Sequence, residues 1–441
     1  MKTIVLIDPD ALTRALLSQC LAGQGWCVLE AQDGEAGIEL VLKHRPAAVL
    51  CDIRTPKRNG FHVCRFIREQ EELRGTKVVL TSVSRFGNDR DSAFQAAADD
   101  YLIKPILPAD LLKTLADCQG NEPAAVAAPC ESDETLGPTH IRFWGVRGSI
   151  PTPGHATAGI GGNTSCVEVR VGKQIIILDA GSGLRKLGQS LLREFKDGGL
   201  NVTMLITHTH WDHIQGFPFF MPAYVPRVHV RILGFEGAVH GLRGALFEQM
   251  TSAFFPVGLN QMASHVTFEE LDEMQFELGP ISVRAIFANH PGICLAYRLG
   301  TPQGDIVYMP DHEAYERNEV ERQKLTGESA ELPLELARQQ DQKVIEFMRG
   351  ARVLIADSQY DASEYPSRLG WGHTCADDTV DYAIRAGVQQ LFLFHHDPDH
   401  SDEKVAEMVQ RAQQQVAERE ASVIVQAASE GLHVDFVKSR S

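Results

Sequence analysis

At 441 residues the chain is too long for one ordinary domain, and 44% apolar with 23% charged residues is the composition of a soluble protein with two or three cores. The formal net charge of −16 comes from 15 basic against 20 acidic side chains in residues 1–137 and 27 against 38 in residues 138–441, so neither part carries the basic excess needed to grip long nucleic acid by its phosphates. The opening apolar run meets Asp8 too soon for a signal peptide, no stretch nears the roughly 18 apolar residues of a membrane span, and the nine cysteines form no C-x-x-C pair, which leads us to expect a cytoplasmic chain with reduced thiols.

In chain order, Thr3–Ile7, Val28–Ala31, Ala47–Cys51, Lys77–Leu80 and Tyr101–Ile103 read as short apolar strands. Helical periodicity falls between and after them, over Ala11–Leu21, Glu35–Leu42, Phe61–Glu71, Asp91–Ala97 and Ala109–Cys118. Strands alternating with helices in this way predict a doubly wound, five-stranded parallel sheet, an α/β domain over residues 1–119. Residues 120–137, rich in Pro, Ala and acids, have little to bury and are expected to form a linker.

From residue 138 to 441 the texture changes. Val167–Val171, Gln174–Leu178, Val202–Ile206, Val228–Leu233, Ile281–Ala288, Leu295–Leu299, Asp305–Tyr308, Val353–Ala356 and Gln390–Phe394 are strand-like. Helices are expected over Leu184–Phe195, Pro333–Arg349, Asp377–Ala386 and Asp402–Glu420. The pattern predicts two packed sheets covered by helices, and the charged stretch 313–342 reads as a surface insertion.

In a doubly wound sheet, ligands bind beyond the carboxyl ends of the strands. Asp8 and Asp10, Asp52, Thr81 and Lys104 fall at four such ends. Clustered acids there can hold a hard divalent cation and leave one carboxylate free to take a phosphoryl group, whose oxygens a lysine and a threonine hydroxyl can hold. The run Asp52-Ile-Arg-Thr-Pro56-Lys-Arg-Asn-Gly60 and the run Asp99-Asp-Tyr101-Leu-Ile-Lys104-Pro105 resemble the receiver domains of two-component response regulators over nearly all of residues 1–119. The resemblance implies Asp52 as phosphoacceptor, Asp8 and Asp10 as ligands of a magnesium ion, Thr81 and Tyr101 as switch residues, and Lys104 as the phosphate contact. It also implies a sensor histidine kinase or phosphotransfer protein as partner. In one departure from the family, Pro9 separates Asp8 from Asp10 where two adjacent acids are usual.

The second constellation starts where the strand Val202–Ile206 ends, at His208-Thr-His210-Trp-Asp212-His213. Histidines at i and i+2 leaving a strand point the same way, and Asp212 and His213 can turn toward a second ion as a helix begins. Imidazole and carboxylate suit zinc, iron or manganese and leave an open position for water. Further along, His290 and Asp311 each follow a strand, His395 ends another, and His373 precedes a helix.

Together these resemble the metallo-β-lactamase superfamily, most closely its ribonuclease Z-like and cyclic phosphodiester-cleaving branches, over roughly residues 140–436. The resemblance implies an αββα sandwich with two divalent ions (Zn, Mn or Fe), the first on His208, His210 and His290 and the second on Asp212, His213 and His395, with Asp311 bridging. It implies that His373, paired with Asp357, assists the leaving group, so that Asp212, His373 and Asp357 carry catalysis. Asp179 is a structural residue in that family. Arg147 and Asn163 sit in glycine-rich stretches that read first as tight turns, with approach to a substrate the less favoured reading, and Phe217-Pro-Phe-Phe reads as core packing before a pocket wall.

The resulting expectation is a response regulator with a metal-dependent hydrolase output, acting on a small cyclic nucleotide or similar phosphodiester and gated by phosphorylation of Asp52. A ribonuclease Z-type nuclease, a lactonase or thioesterase on the same metals, and a signalling protein with vestigial hydrolysis are the alternatives. A homodimer is an open option for its assembly.

Overall fold

The structure is a computed structural model that describes residues 2–83, 90, 92–94, 96–115, 137–196, 198–235, 241–251, 255–271, 273–327 and 330–436. Most of the expected linker, and part of the helix expected over Asp91–Ala97, lie outside the described residues.

The first sheet contains β1 (Lys2–Ile7), β2 (Trp26–Ala31), β3 (Ala48–Asp52), β4 (Lys77–Ser82) and β5 (Asp100–Ile103). Their order is β2-β1-β3-β4-β5, parallel throughout. The central strand β3 is buried at every position, which is why it reads as an apolar run and not as an alternation. The connecting helices begin at side-chain caps: Asp10 accepts from the Thr13 amide, Asp33 from Ala36 and Asn59 from His62. Asp8, Asp52 and Thr81 are thereby brought to one end of the sheet, as the strand pattern predicts.

The second half adds β6 (Thr139–Gly145), β7 (Cys166–Val171), β8 (Gln174–Leu178), β9 (Leu200–Leu205), β10 (Val228–Gly234), β11 (His265–Glu270), β12 (Gln275–Leu278), β13 (Ile281–Phe287), β14 (Leu295–Gly300), β15 (Ile306–Met309), β16 (Val353–Asp357), β17 (Gln390–Phe394), β18 (Ile424–Ala427) and β19 (His433–Asp435). They form two seven-stranded sheets, ordered β11-β10-β9-β8-β7-β6-β19 and β12-β13-β14-β15-β16-β17-β18.

Alternation along the strands builds the layers. On β16 and β17, Val353, Ile355, Phe392 and Phe394 face inward against Phe143, Val167 and Ile176 of β6, β7 and β8 in the facing sheet. Leu354, Ala356, Leu391 and Leu393 face outward beneath the helices Glu331–Met348, Ala376–Ala386 and Asp402–Glu418. On the opposite side, Leu184, Leu187 and Leu191 of the helix Leu184–Glu194 cover Ile175, Ile177 and Met204. The result is the expected αββα sandwich.

Two differences from the sequence reading have physical causes. Strands β6, β11, β12, β18 and β19 were not expected; the last four are sheet edges, mostly half-exposed, and so lack a continuous apolar signal, whereas β6 is largely buried beside the edge strand β19. Residues 313–342 are not a loose surface insertion: they contribute the helix Tyr315–Thr326 and most of the helix Glu331–Met348. These helices meet the first domain, where Arg54 donates to the Tyr315 hydroxyl at 2.9 Å and Lys343 to Asp10 at 2.8 Å. Arg147 is fully buried and donates to the carbonyls of Gly161, Asp397 and His400, while Asn163 is held by Glu430, contacts that fit the structural reading of these glycine-rich turns.

Candidate metal centre and phosphoacceptor pocket

Strand β9 ends in Ile206-Thr207, and the next residues carry His208, His210, Asp212 and His213 to the edge of the sandwich. β13 delivers His290, β15 delivers Asp311, β16 delivers Asp357 and β17 delivers His395. Ligating atoms of His208, His210 and His290 lie within 4.8 Å of one another, as do those of Asp212, His213 and His395. A third such group, His208, His213 and Asp311, lies across the two. Asp311 Oδ1 is 3.1 Å from His213 Nε2, and its Oδ2 is 3.6 Å from His208 Nε2 and from His290 Nε2, the position of a carboxylate able to reach both sets.

The donor set fits divalent cations. His210 Nδ1 faces His290 Nε2 at 2.8 Å and His213 Nε2 faces His395 Nε2 at 3.2 Å. His208 Nε2 and Asp311 Oδ1 are buried without a hydrogen-bond partner. Convergent nitrogen lone pairs and orphaned buried atoms are expensive in a protein interior and become favourable around a cation. Burial, and secondarily the neighbouring imidazoles, push His208 well below its ordinary pKa, so it presents a lone pair. Burial pushes His290 and His210 down as well. Burial alone would raise Asp212 and Asp311, but the surrounding histidines hold both carboxylates well below their usual range.

A supporting layer fixes the rings. His290 Nδ1 donates to the Gly372 carbonyl at 2.8 Å, and His395 Nδ1 to Gln359 Oε1 at 2.9 Å. Asp179 holds His213 Nδ1 at 2.8 Å, and also accepts from the Thr207 amide and the Tyr308 hydroxyl. Burial opposes protonation of His213, but Asp311, Asp212 and Asp179 raise it well above its ordinary value. Asp179 and His395 both adopt left-handed backbone, φ 58° and 59°, a conformation that costs a side-chain-bearing residue on the order of 1 kcal/mol or more. Gly372, at φ 86°, admits no side chain: a Cβ there would lie 2.4 Å from His290 Nδ1.

His373 stands beside this cluster, its ring stacked on His395 at 4.9 Å and its Nδ1 bonded to Asp357 Oδ2 at 2.8 Å. Burial opposes a charge on His373, but Asp357 outweighs it and lifts the ring to about 9. Glu313, whose role the sequence did not suggest, accepts from the Gly370 and Gly372 amides and from the Tyr365 hydroxyl, and so shapes the loop that carries His373. His396 is turned away, its Nε2 donating to the Ala428 carbonyl. Phe217 and Phe220 are core residues, whereas Phe219 is exposed.

The pocket on the parallel sheet is smaller. Lys104 donates to Asp8 at 2.5 Å and also to Asp52, and all three side chains are buried. Asp52 Oδ1 accepts from the Arg54 amide at 2.7 Å. Thr81 and Tyr101 are buried on β4 and β5. Asp10 is placed differently from the expectation: its Oδ1 caps the helix Ala11–Ala22 and its Oδ2 is taken by Lys343, so both oxygens are already engaged. Proline at position 9 sets this apart, since the helix starts one residue later than the acid it follows.

Comparison with known proteins agrees with this division. Residues 4–116 match the response regulator receiver domain family, and residues 175–332 match the β-lactamase superfamily domain. A ribonuclease Z from Thermoplasma acidophilum is 26% identical over 292 residues, covering 60% of this chain and 88% of the relative. The transcriptional regulatory protein AfsQ1 of Streptomyces coelicolor is 33% identical over 106 residues, 24% of this chain; the chain spans 46% of that regulator's length. Among solved structures, the metallo-β-lactamase fold protein YhfI from Bacillus subtilis is 17% identical, with a TM-score of 0.47 and coverage of 68% of this chain and 100% of that one. The chain joins an N-terminal response regulator receiver domain to a metallo-β-lactamase-fold domain.

Proposed function

We propose that residues 1–119 are a receiver, residues 120–137 a linker, and residues 138–441 a metal-dependent phosphodiesterase that acts on a small cyclic nucleotide or similar phosphodiester. The observation that carries this reading is the His373–Asp357 pair, held at 2.8 Å and stacked against the metal-binding cluster. His208, His210 and His290 would hold one cation, Asp212, His213 and His395 the second, and Asp311 both. Two such cations, zinc, manganese or iron, would acidify water and offset the negative charge that develops on a phosphodiester.

The side chains divide the remaining work. Asp357 holds His373 in one orientation and keeps it protonated, which leaves Nε2 as the edge that gives a proton to the leaving oxygen. As water oxygen bonds to phosphorus and releases a proton to solvent, the ester P–O bond breaks, the His373 proton completes the departing hydroxyl, and solvent returns a proton to His373. Asp212 is oriented by the Ser149 amide at 2.8 Å, and Gln359 and Asp179 hold His395 and His213. A thioesterase, whose thiolate departs without being protonated, has less use for such a donor.

In the receiver, a carboxylate oxygen of Asp52 would displace a phosphohistidine imidazole from phosphorus, the N–P bond breaking as the O–P bond forms and the imidazole taking a proton from water. The donor is a sensor kinase or phosphotransfer protein, Lys104 would hold the new phosphoryl oxygens, and Thr81 and Tyr101 would respond to them. Magnesium, if used here, would rest on Asp8 and Asp52.

Likeness to a ribonuclease Z over 88% of that protein's length supports RNA cleavage as the second reading. Protein loaded with manganese, zinc or iron, assayed on bis-p-nitrophenyl phosphate, cyclic nucleotides, short RNA and lactones, separates the two. Turnover of cyclic nucleotides above RNA is expected. Preference for RNA would favour the nuclease, and hydrolysis of lactones alone would overturn both.

A further inference from the structure

The phosphoacceptor end of the receiver does not face solvent; it abuts the back of the metal-binding cluster. Arg54, two residues after Asp52, is buried, and its guanidinium reaches the second domain. Its Nη1 donates to the Tyr315 hydroxyl at 2.9 Å, and its Nη2 reaches the backbone carbonyl of His290 at 3.5 Å. Its own amide is on Asp52 Oδ1. One residue thus touches the phosphoacceptor at one end and, at the other, the backbone of a histidine whose ring faces His210.

A second connection starts from Tyr315. Its ring lies 5.8 Å from that of His312, and the His312 amide donates to Asp357 Oδ2, the oxygen that also holds His373. Around these contacts the two domains enclose a cleft of about 680 Å³, bounded by Asp10, Leu16 and Lys104 on one side and Asn289, Tyr315 and Leu336 on the other. Asp10, on its receiver side, is paired with Lys343 of the second domain.

We propose that Arg54 is a positioning residue of the metal centre supplied by the receiver, and that a phosphoryl group on Asp52 competes with His290 and Tyr315 for its guanidinium. This rests on the phosphorylation and hydrolase readings above. These two acceptors in the second domain are neutral, and the bond to His290 is long. A phosphoryl group carries close to two negative charges and accepts planar, bidentate bonds from arginine that are about twice as strong as neutral ones. The exchange is therefore favourable, and the Arg54 amide already places the side chain's root beside Asp52. Once the guanidinium turns, the His290 carbonyl and the Tyr315 hydroxyl lose a donor, and the segments carrying His290 and His312 loosen together. By reciprocity, whatever tightens the metal centre weakens phosphoryl binding.

The test uses the full chain loaded with manganese, with beryllofluoride as the phosphoryl mimic. Fluorine NMR reports whether the mimic is bound, hydrogen–deuterium exchange reports segments 286–294 and 312–320, and bis-p-nitrophenyl phosphate reports turnover. In wild type, beryllofluoride should speed exchange in both segments and change kcat/KM by about fivefold or more. Arg54→Ala should bind the mimic, show fast exchange without it and lose the response. Arg54→Lys should restore part of the response, and Tyr315→Phe, which removes one hydroxyl, should reduce it.

Bound mimic with unchanged exchange in segment 286–294, or an Arg54→Ala protein that responds like wild type, overturns the proposal. Absence of any bound mimic overturns it by removing the receiver reading. Altered exchange in a protein without turnover leaves the coupling standing and removes the hydrolase reading instead.

Discussion

The two buried acidic pockets of this chain neutralise their charge in opposite ways. In the receiver, Asp8 and Asp52 share a lysine, Lys104, carried on the same sheet. In the metallo-β-lactamase-fold domain, Asp212 and Asp311 are equally buried, yet no lysine or arginine contacts either carboxylate among the described residues. Their neighbours are imidazoles, of which burial drives His208, His210 and His290 toward the neutral form. One pocket holds its cation on a lysine side chain; the other has His213 as its charged partner and leaves His208, His210 and His290 as neutral donors, a set that would suit cations from solution.

The largest effect should come from breaking the second arrangement. His208→Ala removes a donor from the first set and one that lies near Asp311, so bound metal, measured by mass spectrometry, should fall with turnover. The loss of charge stabilisation is worth several kcal/mol, on the order of a thousandfold or more in rate. Full activity in metal-free protein would show that the pocket needs no external cation.

Next in size, His373→Ala should lower kcat by about 10² to 10⁴-fold while metal content stays constant. The discriminating comparison is a substrate with a good leaving group, such as a p-nitrophenyl ester, against a cyclic nucleotide. Proton delivery matters less for the former, so equal losses on both would remove His373 from that role.

The receiver pocket answers differently, in stability. Lys104→Ala strands two buried carboxylates and should cost about 3–5 kcal/mol, seen as a lower urea midpoint. Adding Asp8→Asn should return part of the loss, because the remaining charge no longer faces a like charge. A Lys104→Ala protein as stable as wild type would mean that the lysine is not what balances this pocket.

How much of this was legible in the sequence follows the same division. The convergence of these histidines and acids could be read because their segments leave strand ends and because the i, i+2 histidines and the acid two places later are close in sequence. The layers could be read wherever a strand is buried on one face at a time, as β16 and β17 show. Gln359 on His395 and Glu313 on the Gly372 loop were not legible, since their roles arise from contacts across 36 and 59 residues and their residue types carry no signal. The docking of Arg54 on Tyr315 spans 261 residues, and the helix that receives it has almost no amphipathic pattern to announce a buried face. Asp10 was misread for a related reason. Its distance along the chain suits a shared ion, but as a helix cap it turns its carboxylate to Thr13 and Lys343.

Asp179→Asn makes the finest cut between the pockets. Asp179 is a fully buried carboxylate whose accepted bonds come from the Thr207 amide and hydroxyl, the Tyr308 hydroxyl and His213 Nδ1. It therefore does for a ring what Lys104 does for two acids: it fixes an orientation and settles a proton. An amide of the same shape keeps one acceptor oxygen but turns an NH₂ toward donors, so Thr207 or Tyr308 must give way and His213 loses a charged partner. Metal affinity should drop about 10–100-fold, the usual cost of losing a partner behind a metal-binding histidine. Because the ligands themselves remain, kcat at saturating manganese should stay near the wild-type value. A metal titration followed by activity reads both quantities: an unchanged midpoint would make Asp179 a core hydrogen-bonding residue alone, and a fall in kcat at saturation would place it closer to the chemistry than its position behind His213 indicates.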